Sequence, residues 1–515
     1  MGRLVWPAAA LSALLWLGAC APGTPAGRAA ARVPLRFALA QAPITLDPRY
    51  ATDAASSRID RLLYRSLVRF DAAARPVPEL AHWRKLSPTR WRFRLGTRGR
   101  RFQDGEQLTS ADVRATYESI LDPATGSPLR DTLARVAGIR RIETPDPDTV
   151  VFVLARPNAL LPGYLTVGIL PARRIAAGHR FDHAPVGSGP FAFVAWPEQN
   201  RLILRRRRDG QVFEFLTVRG STVRVLKLLR GEVDMLQNDL PPELVRYLAR
   251  RPGIRVERQP GTNVTYLGFN LRDPVTGRLA VRRAIAHAID RRTIIRYMLG
   301  GAARPADSIL PPDHWAGDPD LHGYAYDPAL ARRLLRAAGF GPGHPVHITY
   351  KTSSDPFRVR LATLIQYELG RVGIDVRVQS YDWGTFYGDI KAGRFQMYSL
   401  SWVGIKSPDI FRYAFYSKSI PPLGANRGHF DSPVADRLID AAEASQDLAV
   451  KARDYRALQA YLLKELPYLP LWFEGQVFAA RSDIRGYHLA PDGNYDGLET
   501  TRRVVASVAA AGGRP

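Results

Sequence analysis

Cysteine is almost absent: Cys20 is the only one in 515 residues. One thiol permits no internal disulfide and no cysteine-based metal site. Acidic side chains are also scarce, with 48 Asp and Glu against 73 Lys and Arg, which leaves a net charge of +25. Beyond the first twenty residues no apolar run is long enough to span a bilayer. Motifs that carry catalysis are missing too. There is no HExxH and no phosphate loop of the Walker type. Ser188 sits in Val186-Gly187-Ser188-Gly189-Pro190, which lacks the first glycine of a nucleophile elbow. His179 and His183 lie four apart without a third donor, so no metal is expected there. Asp104-Gly105 reads as a turn and Asp112 as a helix-start carboxylate rather than as an acid pair. No enzyme activity and no cofactor are expected. Nucleic acid is not expected as a partner either, because the positive charge is spread from Arg32 to Arg503 without a recognition motif. Its densest run, Arg205 to Arg208, precedes Asp209-Gly210 and reads as the turn of a hairpin with solvated arginines. Attraction to anionic headgroups is the simpler use of such charge in a protein tethered to a membrane.

At the N-terminus, Arg3 precedes an apolar stretch from Leu4 to Leu17, as in an export signal. It ends in Leu17-Gly18-Ala19-Cys20, which resembles the lipobox of bacterial lipoproteins. That resemblance implies cleavage before Cys20 and a lipid on its sulfur, with the protein anchored on the periplasmic side of the envelope. Ala21 does not direct retention at the inner membrane, so which membrane holds it stays open. Residues 21–32 read as a flexible tether and 506–515 as a tail.

The rest has ordinary globular composition, 46% hydrophobic and 23% charged. Val33–Leu39, Trp91–Leu95, Thr149–Leu154 and Ile374–Val378 read as strands. Helices are expected over Ser56–Val68, from Thr109 or Ser110 through Ile120, and over Thr222–Leu229, Val281–Ile289, Pro328–Ala338 and Arg358–Arg371. This alternation predicts α/β lobes, and the length calls for two or three of them.

Several stretches in one order resemble the family 5 extracytoplasmic solute-binding proteins, the peptide and nickel binders of ABC importers. They are Thr45-Leu46-Asp47-Pro48, Leu62–Leu67, Arg101–Gly105 leading into Leu108–Val113, Val186–Phe191, Gly231–Asp234 and Tyr266–Asn270. VRRAIAHAID (281–290), YDPALARRLLRAAGF (326–340) and LPYLPLW (466–472) complete the series. The resemblance implies a two-lobed α/β fold of the periplasmic-binding-protein type II class, with a subdomain inserted in lobe I. Lobe I would comprise 33–41, 187–268 and 476–505, the insertion 42–186 and lobe II 269–475, with hinges at Phe269-Asn270 and Phe473-Glu474. It also implies a monomer that captures a peptide or similar elongated solute between the lobes and delivers it to an ABC permease driven by an ATPase. A non-peptide or anionic solute, or a sensor or envelope chaperone without transport, are the alternatives.

Ligand contacts are expected from Tyr381, Asp382, Trp383, Tyr398, Ser401, Trp402, Lys406 and Asp409, and from the loop residues Asn426 and Arg427. Aromatic groups suit such a cleft because they offer area at little entropic cost. The chain departs from the peptide binders it resembles after Trp402, where they carry an aspartate for the peptide ammonium. Here Gly404 is followed by Ile405 and Lys406, and the first acid is Asp409. A free Lys406 would repel an ammonium group and, with Arg427, favour a carboxylate or phosphate; a solvated Lys406 would leave ammonium pairing to Asp409 or Asp382. At the other end of the chain, Cys20→Ser is expected to abolish lipid labelling and block signal cleavage. Unchanged labelling of that variant would overturn the lipoprotein assignment.

Overall fold

Two long antiparallel strands, Ile254–Phe269 and Tyr468–Arg481, organise the computed structural model, which describes residues 33–504. The expected signal, Cys20, the tether and the 506–515 tail lie outside the described residues. Over Ile254–Pro260 the first strand pairs with Arg481–Gly475; over Val264–Gly268 it pairs with Phe473–Tyr468. Between the two stretches the register shifts. On one side of that break the sheet continues through Met235–Gln237, Leu35–Leu39, Val212–Thr217, Arg201–Arg206 and Phe191–Glu198. On the other it continues through Met397–Trp402, Val346–Ser353 and Ile374–Tyr381. Each half carries its own parallel strands, joined by helices such as Ser221–Arg230 and Pro356–Gly370.

The direction of these strands follows from their pairing. Met235–Gln237 runs antiparallel to 478–480, and Met397–Trp402 antiparallel to 264–269. Both sets of parallel strands therefore end at the crossing. In open α/β sheets the crevice beyond the carboxyl ends is where ligands sit.

Local sequence accounts for most elements. Asp53 accepts from Ser56 N (2.8 Å) to start Ala54–Leu63, and Thr109 N donates to Asp112 (2.7 Å) at the start of Ser110–Leu121. The Asp209-Gly210 turn joins its two strands with Arg205 opposite Val212, as the hairpin reading requires. Its arginines are not all solvated, however. Arg206 is 2% exposed, paired with Asp209 (2.8 Å) and donating to the carbonyls of Leu498 (2.8 Å) and Thr501 (2.7 Å).

The insertion carries a four-stranded antiparallel sheet ordered 81–87, 90–95, 149–154, 139–146. Phe93, Phe152 and Tyr117 pack edge-to-face there. They belong to one continuous core with Phe37 and Phe215 of lobe I, so the two are fused rather than merely tethered. Lobe II holds two cores, one around Ile285, Tyr350, Leu361 and Val376, the other around Tyr266, Tyr398, Phe411 and Tyr468.

The crossing departs from expectation on one of its two strands, at Phe269-Asn270, and not at Phe473-Glu474. Phe269 is fully buried in the lobe II core, and Asn270 donates to the carbonyls of Gly393 (3.3 Å) and Phe395 (3.0 Å) within that lobe. The change of partners falls instead at Pro260–Val264, opposite Phe473–Gly475. The reason is local. Pro260 has no N–H to donate, and Gly261 lets the backbones touch: a Cβ there would lie 2.2 Å from the Glu474 carbonyl oxygen. Gly261→Ala is therefore expected to destabilise the protein by about 1–3 kcal/mol in urea unfolding, the usual penalty of overpacking. An unchanged midpoint would contradict this account of the crossing.

Candidate ligand-binding site

A cavity of ≈ 1520 Å³ opens between the carboxyl ends of the two half-sheets. Its lobe I wall includes Ile44, Trp196, Arg219 and Asp239, its floor Arg258, Trp472 and Glu474, and its lobe II wall Asp355, Phe357 and Arg358. The lobe I wall is held from below by Arg224, which is 1% exposed on the inner face of helix Ser221–Arg230. It donates to the carbonyls of Val218 (2.8 Å), Arg219 (2.9 Å) and Asp239, tying two loop ends together. Burial lowers its pKa, only partly offset by the opposing charge of Asp239. The loop it secures is strained: Asn238 (φ 58°) and Asp239 (φ 52°) both occupy the left-handed region. Asn238 holds the turn by donating to Gln476 Oε1 (2.5 Å) and accepting from Val477 N (2.9 Å).

At the floor, Glu474 Oε1 accepts from Thr265 Oγ1 (2.7 Å), Ser401 Oγ (2.9 Å) and Arg358 Nη2 (3.0 Å). Burial pushes its pKa up, but Arg358 and the two hydroxyls outweigh burial and hold it below the usual carboxylate range. Its side chain keeps 29% exposure toward the cleft. Arg358 is placed by the helix it opens, where Asp355 accepts from its backbone N (3.0 Å). A charged pair beside an aromatic wall in a wide cleft can hold a polar solute.

The profile of bacterial extracellular solute-binding proteins, family 5 (middle region), matches residues 75–421. The chain belongs to this family. Di/tripeptide-binding protein 2 of Pseudomonas aeruginosa is 27% identical over 511 residues, 89% of this chain and 95% of that one. The peptide transport periplasmic protein SapA of Salmonella typhimurium is 30% identical over 467 residues, 82% of each chain. The substrate-binding protein CtaP of Listeria monocytogenes shares the fold, with a TM-score of 0.82 over 92% of this chain and 99% of that one at 20% identity. Family 5 proteins bind substrates rather than transform them, which agrees with the two-lobed α/β fold.

Within this family 5 protein the residues expected to contact ligand scatter. None of the ten lines the main cavity; Ser401 reaches it through Glu474 and Arg358 (3.3 Å). Tyr398, Trp402 and Arg427 gather instead around Tyr266 in the second lobe II core. Tyr398 is fully buried and meets Tyr266 edge-on, and Trp402 stacks on Tyr266 at 6.2 Å. Arg427, 7% exposed, donates to the hydroxyls of Tyr266 (3.0 Å) and Tyr387 (3.2 Å) and lies over the Trp402 ring. Asn426 is a buried loop clamp: it bonds Phe430 through both its side-chain N and O and reaches the Tyr416 carbonyl. Asp382 caps helix Trp383–Lys391, where Trp383 stays 59% exposed and stacks on Tyr387. Tyr381 bonds Gln379 (3.1 Å).

Lys406 is neither free nor solvated. Its ammonium pairs with Asp492 (2.5 Å) across the lobes, and its carbonyl meets His314 Nε2 (3.2 Å). Asp409 accepts from Tyr164 of the insertion. Both expected charges thus bridge lobe II to the rest of the molecule. Sequence reasoning missed Arg358, Asp239 and Arg224. Asp355-Pro356, directly after a strand, was the available signal for Arg358, since a helix start there falls at the carboxyl edge of the sheet.

Glu474 gives the site a pH signature. With its folded pKa below the unfolded value of about 4.3, its stabilisation is complete above that value and is lost as pH falls through the folded pKa. Glu474→Gln should lower stability at pH 7 by about 1–3 kcal/mol, and the gap from the parent should close on acidification. Thermal unfolding of both proteins from pH 7 down to pH 3 checks this; a pH-independent gap would refute the ion-pair account.

Proposed function

We propose that this protein is the peptide-capture component of an ABC importer, working with a permease and an ATPase and held to the envelope through a lipid on Cys20. One observation carries the reading: the cavity between the lobes is wide and balanced in charge. Four arginines (219, 224, 258, 358) face four acids (198, 239, 355, 474) along its lining. Its ≈ 1520 Å³ exceeds the usual range for a single small ligand, about 300–1,000 Å³, and suits an extended one. Arg224 and Asp355 are engaged with backbone groups and Arg358 is paired with Glu474, so Arg219 and Arg258 remain for a carboxylate and Asp239 for an ammonium, with Glu474 available by exchanging Arg358 for the ligand. Such a lining favours a zwitterion over an anion. The pairing of Lys406 with Asp492 removes the repulsion that would have disfavoured a free amino end. The names of the Pseudomonas and Salmonella relatives point the same way.

Capture would close the lobes about Pro260–Val264 and Phe473–Gly475, with Lys406–Asp492 and Asp409–Tyr164, both present in this structure, holding lobe II to the rest of the molecule. Calorimetry with a short peptide, its N-acetyl form and its C-terminal amide tests the recognition. The free peptide is expected to bind, and acetylation to weaken it by about two orders of magnitude through loss of a buried charge pair. Glu474→Gln should reproduce part of that loss. Equal binding of free and acetylated peptide, or no binding of any peptide, would end this reading.

A further inference from the structure

A second cavity, ≈ 570 Å³, lies in lobe I where the insertion meets the Asp209-Gly210 hairpin, and it shares no lining residue with the cleft. Six arginines line it: 65, 100, 101, 206, 207 and 208. Three are neutralised, Arg65 by Glu79 (3.2 Å), Arg100 by Asp148 (2.6 Å) and Arg206 by Asp209 (2.8 Å). Arg208 lies 3.9 Å from Asp209, too far for a hydrogen bond. Arg101 and Arg207 reach only backbone carbonyls: Arg101 that of Gly105 (3.2 Å), Arg207 those of Arg101 (2.8 Å), Phe102 (3.3 Å) and Gly189 (3.4 Å). No carboxylate pairs with either among the described residues. Burial and the like charges of Arg65 and Arg101 lower the Arg207 pKa, a sign of crowding without compensation. The one acid on the wall, Glu499, faces the charges of Arg65 and Arg208, and burial raises its pKa. Ser188 also lines the cavity; it is 2% exposed and its Oγ has no hydrogen-bond partner. A buried hydroxyl without a partner is costly unless something fills the space before it.

We propose that this pocket binds a phosphate group, held by Arg101, Arg207 and Arg208 with the Ser188 hydroxyl as a further donor. Guanidinium groups match phosphate oxygens in paired, charge-assisted bonds, and the cavity is large enough for a diphosphate or a phosphorylated headgroup. A soluble phosphate compound and a membrane lipid headgroup present the same chemistry. The probe is inorganic pyrophosphate, titrated calorimetrically into the full chain in neutral detergent micelles. Saturable, salt-sensitive binding at one site is expected, weakened about tenfold or more by Arg207→Gln and further by adding Arg101→Gln. Because these two also bond carbonyls, the exposed Arg208→Gln serves as a second variant that leaves the fold alone and should weaken binding on its own. Doping the micelles with phosphatidylglycerol, against phosphatidylcholine, then separates the sources. Displacement of pyrophosphate by the anionic lipid alone assigns a headgroup, and no displacement assigns a soluble phosphate; either supports the pocket. No binding of pyrophosphate, or binding undiminished in all three variants, overturns it.

Discussion

The antiparallel pairing of Ile254–Phe269 with Tyr468–Arg481 joins two half-sheets that otherwise belong to separate cores. Its interruption at Pro260–Asn263 decides where the cleft can lie. Backbone hydrogen bonds make each half rigid, so the least resistant place in the pair is the stretch where the ladder is absent. The parallel strands of both halves end at that stretch, and their loops therefore face each other across it. Gly261 and Gly475 are the side-chain condition for this arrangement: a Cβ on Gly475 would lie 2.1 Å from the Ala302 carbonyl oxygen. Close backbone approach at the crossing leaves no room for a methyl group on either strand.

The excess of positive charge has a structural use that composition alone hides. Arg206, Arg224 and Arg282 are each almost fully buried, and each ends on carbonyl oxygens of chain segments that lack partners in helix or strand. Arg282 donates to Thr276 and Gly277 and also to Glu465, 183 positions away, and burial lowers its pKa to about 10. A guanidinium has five donors in a fixed fork, so one side chain can satisfy several loop carbonyls at once. Lysine could not span the same set. Burial of a cation is costly, and these sites offset it with three carbonyl dipoles apiece, joined at Arg206 by the carboxylate of Asp209. Arginine counted as surface charge in the sequence is, at these positions, the fastening of loops, and at Arg224 of a loop that lines the cleft.

Local pattern made the elements legible and left the cleft obscure. Helix starts at Asp53, Thr109 and Asp355, the Asp-Gly hairpin and the strand–helix alternation follow from contacts within a few residues. The family stretches extended this to the two-lobed fold, since they lie on those elements. The cleft depends on pairs with no local trace: Arg358 with Glu474 is 116 positions apart, Lys406 with Asp492 86, and Asp409 with Tyr164 245. Aromatic residues misled for a related reason. Tyr398 and Trp402 have the chemistry of a ligand wall and of a core alike, and only the position of Tyr266 between them decides for the core. Arg427 follows the same rule, because its partners are tyrosines from two distant segments.

Glu474 connects the two scales. It stands on the crossing strand one residue before Gly475, and its carboxylate collects Thr265 from the opposite crossing strand, Ser401 from the next strand and Arg358 from the helix at the cleft wall. Two residues further on, Gln476 bonds Asn238 and so reaches the strained loop of the facing lobe. A charge brought into the cleft beside Glu474 would compete with Arg358 for its oxygen and shift the wall helix relative to the crossing strand. The same few residues of one strand thus touch the lobe II wall and the lobe I loop.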